Sequence, residues 1–210
     1  MKFFYFVRAP LGGGGRHLAN LMSLDNSVSP SLPQIKSKQE WFEFLVAQYN
    51  NTIEIGAHFN HSIIISDARW KADLASLDNA MSSVHHGHAS SFDWAKDTLD
   101  QLPNKRYVLL TFNTPASRSI VIKREKQFFG TETLKNTFYV EEICHFYNKQ
   151  FKDGATCDDD LNFSIEIENI FVEDITSVIG KINEHFCMNI PISDAQYLHK
   201  IWWSKEKLKS

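Results

Sequence analysis

The sequence predicts a three-layer α/β/α fold in which a central, mostly parallel sheet is covered by helices on both faces. The main observation is that short apolar runs typical of strands alternate with longer segments whose apolar residues recur at helical spacing. Such alternation favours strands joined by crossover helices, and therefore a parallel sheet. A second observation is that the first strand pattern leads through four consecutive glycines directly into a helix pattern.

The composition fits a single domain that spans residues 1–210. Of the 210 residues, 43% are hydrophobic, which is enough to bury a sizeable core. A formal net charge of −3 disfavours binding to nucleic acid or to a membrane surface through overall charge. The three cysteines are widely spaced, which indicates a reducing compartment, and the apolar stretch after Lys2 is too short for a signal peptide or a membrane span. We therefore expect a cytoplasmic protein without nucleic-acid or membrane partners.

The first predicted strand covers residues 3–7, an apolar run with the length of a buried strand. A helix pattern begins at Arg16, and the polar, proline-containing residues 24–39 predict a surface loop. The next helix is predicted over 38–49, because five large apolar residues share one face of it and are expected in the core. These five residues are Trp41, Phe42, Phe44, Leu45 and Tyr49.

Strand patterns and helix patterns continue to follow one another between residues 52 and 102. Residues 52–57 alternate between apolar and polar side chains, and residues 61–66 are rich in β-branched ones, so both predict strands. Residues 68–77 fit a helix. A strand-like segment at 81–88 ends in histidines, and 90–102 has the apolar spacing of a helix.

The clearest central strand in the sequence is the apolar run at 106–112. Thr114 then offers a helix N-cap, with Pro115 at the first helical position and the helix continuing to about Phe129. Residues 131–151 predict a further helix.

The last part of the chain predicts one more strand and two helices. An acidic loop at 152–160 leads to a strand at 162–167, and 168–171 turn the chain. Amphipathic patterns then predict helices at 174–186 and 194–208.

The strand–glycine turn–helix unit at the N-terminus has the layout of a phosphate-binding loop and predicts a P-loop NTPase-like fold. Compared with the Walker pattern GxxxxGK[ST], residues 10–17 read PLGGGGRH, so the hydroxyl that binds Mg²⁺ is missing. Such a loop can hold an anion without a metal through its backbone N–H groups, Arg16 and a hydrogen bond from His17. The alternative interpretation of this glycine-rich segment is a flexible turn after an edge strand. The predicted anion-binding residues are Pro10, Gly12, Gly13, Gly14, Gly15, Arg16 and His17.

Three blocks of the chain, at 7–22, 106–126 and 163–186, resemble the sulfotransferase family, the P-loop proteins that use 3′-phosphoadenosine 5′-phosphosulfate. The resemblance implies that the first block holds the 5′-phosphosulfate, that the second holds the 3′-phosphate, and that the third is a strand, an acidic turn and a helix on the sheet. The arginine usual after the strand of the second block is absent, and Arg118 and Ser119 are the nearest substitutes. The chain is short for the family, which implies a reduced acceptor-binding part.

Sulfuryl transfer needs charge stabilisation on the sulfonate and a base for the acceptor. Arg16 is the first candidate for the charge, and Arg8, at the end of the first strand, is the second unless it is a surface arginine. For the base we select His85 or His86, with His88 behind them, because the family often places its catalytic histidine at the end of such a strand. The alternative is a solvated cluster of loop histidines.

Other candidate sites are weaker. His58, His61 and the histidines at 85–88 could supply metal ligands, but they lie in no recognisable metal-binding frame, and the acidic run at 158–160 lacks the spacing of a calcium loop. Trp202 is expected to anchor the last helix on the core rather than to cover a ligand.

We therefore expect a sulfotransferase-like enzyme that acts on a small-molecule or glycan-like acceptor through a hydroxyl or an amine. One alternative is a nucleotide-dependent, kinase-like P-loop protein, although no Walker B strand ending in Asp is evident. The other is a non-catalytic anion-binding or interaction module on the same fold. The sequence leaves the acceptor and the oligomeric state open.

Overall fold

In the part of the chain that the structure describes, four parallel strands form a sheet, so the predicted α/β fold class is confirmed. The computed structural model describes residues 2–10, 12–30, 35–50, 81–87, 102–129 and 162–208. Within these ranges the strands are β1 (Phe4–Arg8), β2 (Ser83–Gly87), β3 (Lys105–Thr111) and β4 (Asn162–Glu166). Their order in the sheet is β2-β1-β3-β4. Because all four are parallel, their carboxyl ends meet at one edge of the sheet, where α/β folds bind ligands.

The helices of the described ranges are α1 (Gly15–Met22), α2 (Lys38–Asn50), α3 (Pro115–Phe129), α4 (Thr176–Phe186) and α5 (Ile192–Leu208). The helix α5 begins before the predicted residue 194, because the Pro191 carbonyl already accepts a helical hydrogen bond from the Ala195 amide at 3.0 Å. The predicted turn after β4 is a 3₁₀ helix, Ile167–Asn169. Of the described helices, none is sufficiently long and apolar to cross a bilayer. Six predicted segments lie outside the described residues, apart from Leu102 at the end of the fourth: 52–57, 61–66, 68–77, 90–102, 131–151 and 152–160.

The strand β1 lies at the centre of the core, and all five of its residues are buried. Phe6 lies beside His85 of β2 and Tyr107 of β3, with 5.5 Å between ring centroids in both pairs. On the opposite face of the sheet, Tyr5 packs edge-on against Phe186 of α4, also at 5.5 Å. Burial on both faces is typical of strands in a parallel sheet.

The apolar face of α2 packs into the core, as predicted. Trp41 and Leu45 are fully buried, and the Trp41 Nε1–H donates to the Ser23 hydroxyl at 2.8 Å. Trp202 of α5 packs against the same core, which agrees with its predicted role as an anchor. The partly buried residues of α2 that pack there are Phe42, Phe44 and Tyr49.

The turn between β3 and α3 has the predicted helix cap. Thr114 Oγ1 accepts a hydrogen bond from the Ser117 amide at 3.1 Å, so Thr114 caps a helix that begins at Pro115. The Thr114 hydroxyl also donates to Glu168 Oε2 at 2.6 Å, and the Glu168 amide donates to Ser117 Oγ at 3.2 Å. The cap therefore connects this turn to the 3₁₀ segment that follows β4.

The side chain of Glu166 joins the carboxyl ends of β3 and β4. Its carboxylate accepts hydrogen bonds from Thr111 Oγ1 at 2.9 Å, from the Asn113 amide at 3.0 Å and from Asn113 Nδ2 at 2.9 Å. Partial burial alone would raise the pKa of Glu166, but hydrogen bonds from Thr111, Asn113 and Ser117 together lower it below its usual value. The carboxylate is therefore held in its charged form.

Replacing Glu166 by glutamine should destabilise the fold at neutral pH and remove part of its acid sensitivity. A carboxylate accepts these hydrogen bonds more strongly than an amide, but solvent screening limits the loss to about 1 kcal/mol of unfolding free energy. Because the pKa of Glu166 is lower in the folded state, the carboxylate's contribution is complete above the unfolded value near 4.5 and is lost as the pH falls through the folded value.

Urea unfolding of wild type and Glu166→Gln at about pH 7 and about pH 4 measures this difference, which should shrink at the lower pH. The control is Glu173→Gln at an exposed position. An equal loss from both substitutions would contradict the assigned role of Glu166.

Candidate anion-binding site

The glycine loop between β1 and α1 is a hydrogen-bonded turn of defined geometry. The Gly13 amide donates to the Pro10 carbonyl at 3.0 Å, and the Leu18 amide donates to the Gly14 carbonyl at 3.0 Å as α1 begins. Gly12 and Gly14 have φ angles of 71° and 81°, in the left-handed region that favours glycine. The loop is therefore ordered by its own backbone, unlike the flexible turn of the alternative interpretation.

Close packing also requires the absence of side chains in this loop. A Cβ on Gly15 would lie 2.6 Å from the Ala9 Cβ, and one on Gly14 would lie 3.1 Å from Ile170 Cγ2. Gly14 is the N-cap of α1 and offers no side-chain oxygen to the helix. The first N–H groups of an α-helix have no acceptor within the helix, so those of α1 can serve an anion.

Arg16 is exposed on the first turn of α1. Nearby protein atoms lower the pKa of its guanidinium by desolvation, and the Tyr49 hydroxyl acts in the opposite direction. Arginine nevertheless keeps its charge near neutral pH. The first turn of α1 thus presents a permanent cation next to N–H groups that have no acceptor within the helix.

His17 lies behind the loop, in the protein interior. Its Nδ1 is 2.8 Å from the Tyr49 hydroxyl, its Nε2 is 2.9 Å from His199 Nδ1, and its ring stacks on Trp202 with 4.1 Å between centroids. Burial, with a smaller effect of His199, lowers the pKa of His17 well below its usual value, and burial also lowers that of His199. Both ring nitrogens of His17 therefore have protein partners, and the expected hydrogen bond from His17 to an anion stays a prediction.

The histidines of β2 are buried in the sheet, so the alternative of a solvated cluster is wrong for His85 and His86. Side chains alternate along a strand, and these two therefore point to opposite faces. His85 stacks beside Phe6, and its Nε2 is 2.8 Å from Ser83 Oγ. His86 pairs in register with Val7, on the face to which Gly15 of α1 is adjacent.

The other predicted site residues are distributed around the same edge of the sheet. Arg8 is buried at the end of β1, so its interpretation as a surface arginine is wrong. Arg118 and Ser119 are exposed on the first turns of α3, and Arg118 Nε donates to the Phe112 carbonyl at 3.3 Å. His88 lies outside the described residues. The edge therefore combines the glycine loop with cations from β1, α1 and α3.

His199 contacts His17 but is not among the residues predicted for the site. A detectable signal was its spacing from Trp202, because residues three apart lie on one face of a helix. In α5 this shared face packs on His17, with ring centroids of His199 and His17 5.1 Å apart.

No group of three potential metal ligands occurs among the described residues. The predicted metal candidates His58 and His61, and the acidic run at 158–160, lie outside them.

No family model and no curated protein matches the sequence. Two solved structures do resemble it. The sulfotransferase domain from the curacin biosynthetic pathway has 12% identity and a TM-score of 0.51, over 90% of this chain and 75% of that chain. Sulfotransferase STF1 from Mycobacterium tuberculosis H37Rv has 14% identity and a TM-score of 0.56, over 95% of this chain and 71% of that chain. The chain has a sulfotransferase-like fold.

Replacing Gly15 by alanine should destabilise this sulfotransferase-like fold by about 1–3 kcal/mol, because the new methyl group would overlap Ala9. The matched control is Gly180→Ala inside α4, where a Cβ meets nothing within 4 Å. That change should be neutral or stabilising by up to about 1 kcal/mol, because alanine favours the helix. Urea unfolding compares the two, and similar effects at both positions would contradict the close packing of the loop.

Proposed function

We propose that the protein is a sulfotransferase-like enzyme that binds 3′-phosphoadenosine 5′-phosphosulfate and transfers its sulfuryl group to a hydroxyl or amine of a small-molecule or glycan-like acceptor. The observation that carries this proposal is the glycine loop. It opens α1 at the carboxyl edge of a parallel sheet, with exposed Arg16 beside it and a buried histidine at the position of the Mg²⁺-binding hydroxyl. Together with the sulfotransferase-like fold, this arrangement favours a donor that is bound without a metal.

The N–H groups at the start of α1 and the Arg16 guanidinium would hold the 5′-phosphosulfate. Helix N-termini favour anions, and the planar fork of arginine matches two oxygens of a sulfonate or phosphate. As the acceptor oxygen or nitrogen bonds to sulfur, the bridging bond from sulfur to the 5′-phosphate oxygen breaks. These groups would then stabilise the charge on the departing phosphate.

His86 is our preferred candidate for the base that takes the acceptor proton. It lies near the carboxyl end of β2, on the sheet face to which Gly15 of α1 is adjacent. His85 points to the opposite face and has Ser83 as a close partner. The two histidines therefore have different roles in this proposal, with His85 supporting the strand.

Arg118 and Ser119 on α3 would contact the 3′-phosphate, since both are exposed beside the turn that follows β3. The polar groups of that turn are already bonded to carboxylates, Asn113 to Glu166 and Thr114 to Glu168. We expect the 3′-phosphate to add less to affinity than the 5′ group does.

This turn is also the observation that favours the second candidate function, a non-catalytic anion-binding module. No arginine follows β3 directly, and Asn113 and Thr114 bind the protein's own carboxylates. Such a module would keep the glycine loop but would have no turnover with any donor.

Calorimetric titration with 3′-phosphoadenosine 5′-phosphate, the product of the transfer, tests the proposed donor site. Wild type should bind this ligand without Mg²⁺, and Arg16→Ala should weaken binding at least about tenfold, because a charge-assisted contact is lost. Arg16→Lys should be intermediate, since it keeps the charge and loses the fork. Arg118→Ala should weaken binding by only about two- to fivefold.

Lys181→Ala, at an exposed position of α4, is the control for loss of a cation and should bind as wild type does. A preference for ATP with Mg²⁺ would indicate the kinase-like alternative. Absence of binding to either nucleotide would overturn the enzymatic proposal and favour the non-catalytic module.

A further inference from the structure

Four polar side chains behind the glycine loop form a hydrogen-bonded chain whose direction can be deduced. The Val172 carbonyl can only accept, so His199 Nε2, at 2.7 Å, must carry a hydrogen and donate it. A neutral imidazole has one N–H, so His199 Nδ1 accepts, and His17 Nε2 at 2.9 Å is the donor. His17 Nδ1 must then accept from the Tyr49 hydroxyl at 2.8 Å, and the Tyr49 oxygen accepts from Asn20 Nδ2 at 2.8 Å.

This chain connects three helices and the segment after the 3₁₀ helix. Asn20 and His17 belong to α1, Tyr49 to α2 and His199 to α5, while Val172 lies in the segment before α4. With these hydrogen positions, every hydrogen bond of the chain joins one donor to one acceptor. Burial lowers the pKa of both imidazoles, and with both of them neutral the arrangement has one consistent set of tautomers, with the hydrogen of each ring on Nε2.

A second contact joins the same helices beside the loop. Trp202 of α5 stacks on His17 with an interplanar angle of 6°, and its ring centroid is 5.2 Å from that of Phe171. A Cβ on Gly14 would lie 3.6 Å from the Phe171 ring. Gly14, the N-cap of α1, therefore lies beside Phe171, and His17 in the first turn of α1 packs on Trp202.

The charged and titratable groups around the chain lie at its ends. On the α1 side, burial raises the pKa of Tyr49, while the hydrogen bond from Asn20 and the charge of Arg16 act to lower it. At the other end, the charge of Asp174 acts to raise the pKa of His199, and the charge of Lys200 acts to lower that of Asp174. From α3, Arg124 lies over the Phe171 ring at 5.1 Å and is paired with Glu206 of α5.

We propose that His17 and His199 are positioning residues of the glycine loop: their hydrogen bond, together with the Trp202 stack, sets the rotation of α1 and thereby the direction of its first N–H groups and of Arg16. This inference rests on the proposed function in that the first turn of α1 is taken as the donor's anion site. The positioning itself depends only on the contacts described.

Protonation of His199 would disrupt this arrangement. A hydrogen on His199 Nδ1 would face the Nε2 hydrogen of His17 across 2.9 Å, and relief would require His17 to move its hydrogen to Nδ1 and the Tyr49 hydroxyl hydrogen to turn away from it. Burial lowers the pKa of both histidines below 6.5, so the unfolded chain takes up protons below that pH before the folded one does. Stability from the pair is complete above about 6.5 and decreases as the pH falls below it.

Nitrogen-15 NMR of the ligand-free full chain tests the positioning directly. Long-range proton–nitrogen spectra should assign both imidazoles as neutral Nε2–H tautomers at about pH 7.5. His199→Gln keeps a donor for Val172 but loses the acceptor for His17, whereas His199→Asn keeps that acceptor. Only the first should strongly shift the amide resonances of Gly12–Gly15, and it should weaken binding of 3′-phosphoadenosine 5′-phosphate about tenfold.

The rescue variant combines His17→Gln with His199→Asn, which leaves an amide donor facing a carbonyl acceptor and no titrating group. Because it keeps this hydrogen bond but loses the stack of His17 on Trp202, it should shift the loop resonances less than His199→Gln does, and it should lose their change between about pH 7.5 and about pH 5.5. The control is His185→Gln, at an exposed position of α4, which should leave the loop resonances in place.

Other tautomers in the wild type would overturn the positioning proposal, and this result does not depend on any variant folding. Equal loop shifts in His199→Gln and His199→Asn would overturn it as well. If the tautomers and loop shifts are as stated but wild type does not bind 3′-phosphoadenosine 5′-phosphate, the positioning stands and the proposed sulfotransferase function fails.

Discussion

The close approach of the first turn of α1 to the end of β1 is the constraint on which the candidate site depends. Ala9 occupies the space that a side chain on residue 15 would need. At Gly14, Ile170 and the positive φ angle both disfavour a side chain. These contacts place the N-terminus of a helix directly at the carboxyl edge of the sheet. An anion-binding geometry then follows from backbone packing, because the N–H groups of that turn have no partners within the helix.

Helical geometry connects the exposed and buried sides of this turn. Successive residues of an α-helix are rotated by roughly 100°, so a neighbour of a buried residue can face solvent. Arg16 is exposed and His17 is buried, and the contacts that hold the His17 ring therefore also determine where Arg16 can reach. The long-range contacts of α5 in this way influence a site to which α5 contributes no proposed ligand.

Among the described residues, local rules were sufficient to predict the helices and strands but not the roles of the histidines. The glycine loop and the Thr114 cap depend on neighbouring residues only, and both agree with the structure. His17 meets His199, which is 182 residues away in sequence, and a turn that reads GGGGRH does not distinguish a buried histidine from a ligand. The burial of His85 likewise depends on the pairing of β2 with β1.

The two ends of the proposed donor site differ in charge, and this difference determines what the site can recognise. At the glycine loop, the proposed site would hold the 5′ group through Arg16 and the helix N-terminus together. At the turn after β3, Arg118 lies beside a cap bonded to Glu168, so a 3′-phosphate would experience repulsion as well as attraction. Because hydrogen bonds already hold Glu166 and Glu168 in place, neither carboxylate can move away without losing a strand or helix contact. Under the proposed function, the loop would therefore contribute most of the donor's binding free energy, and donors should be distinguished mainly by their 5′ group.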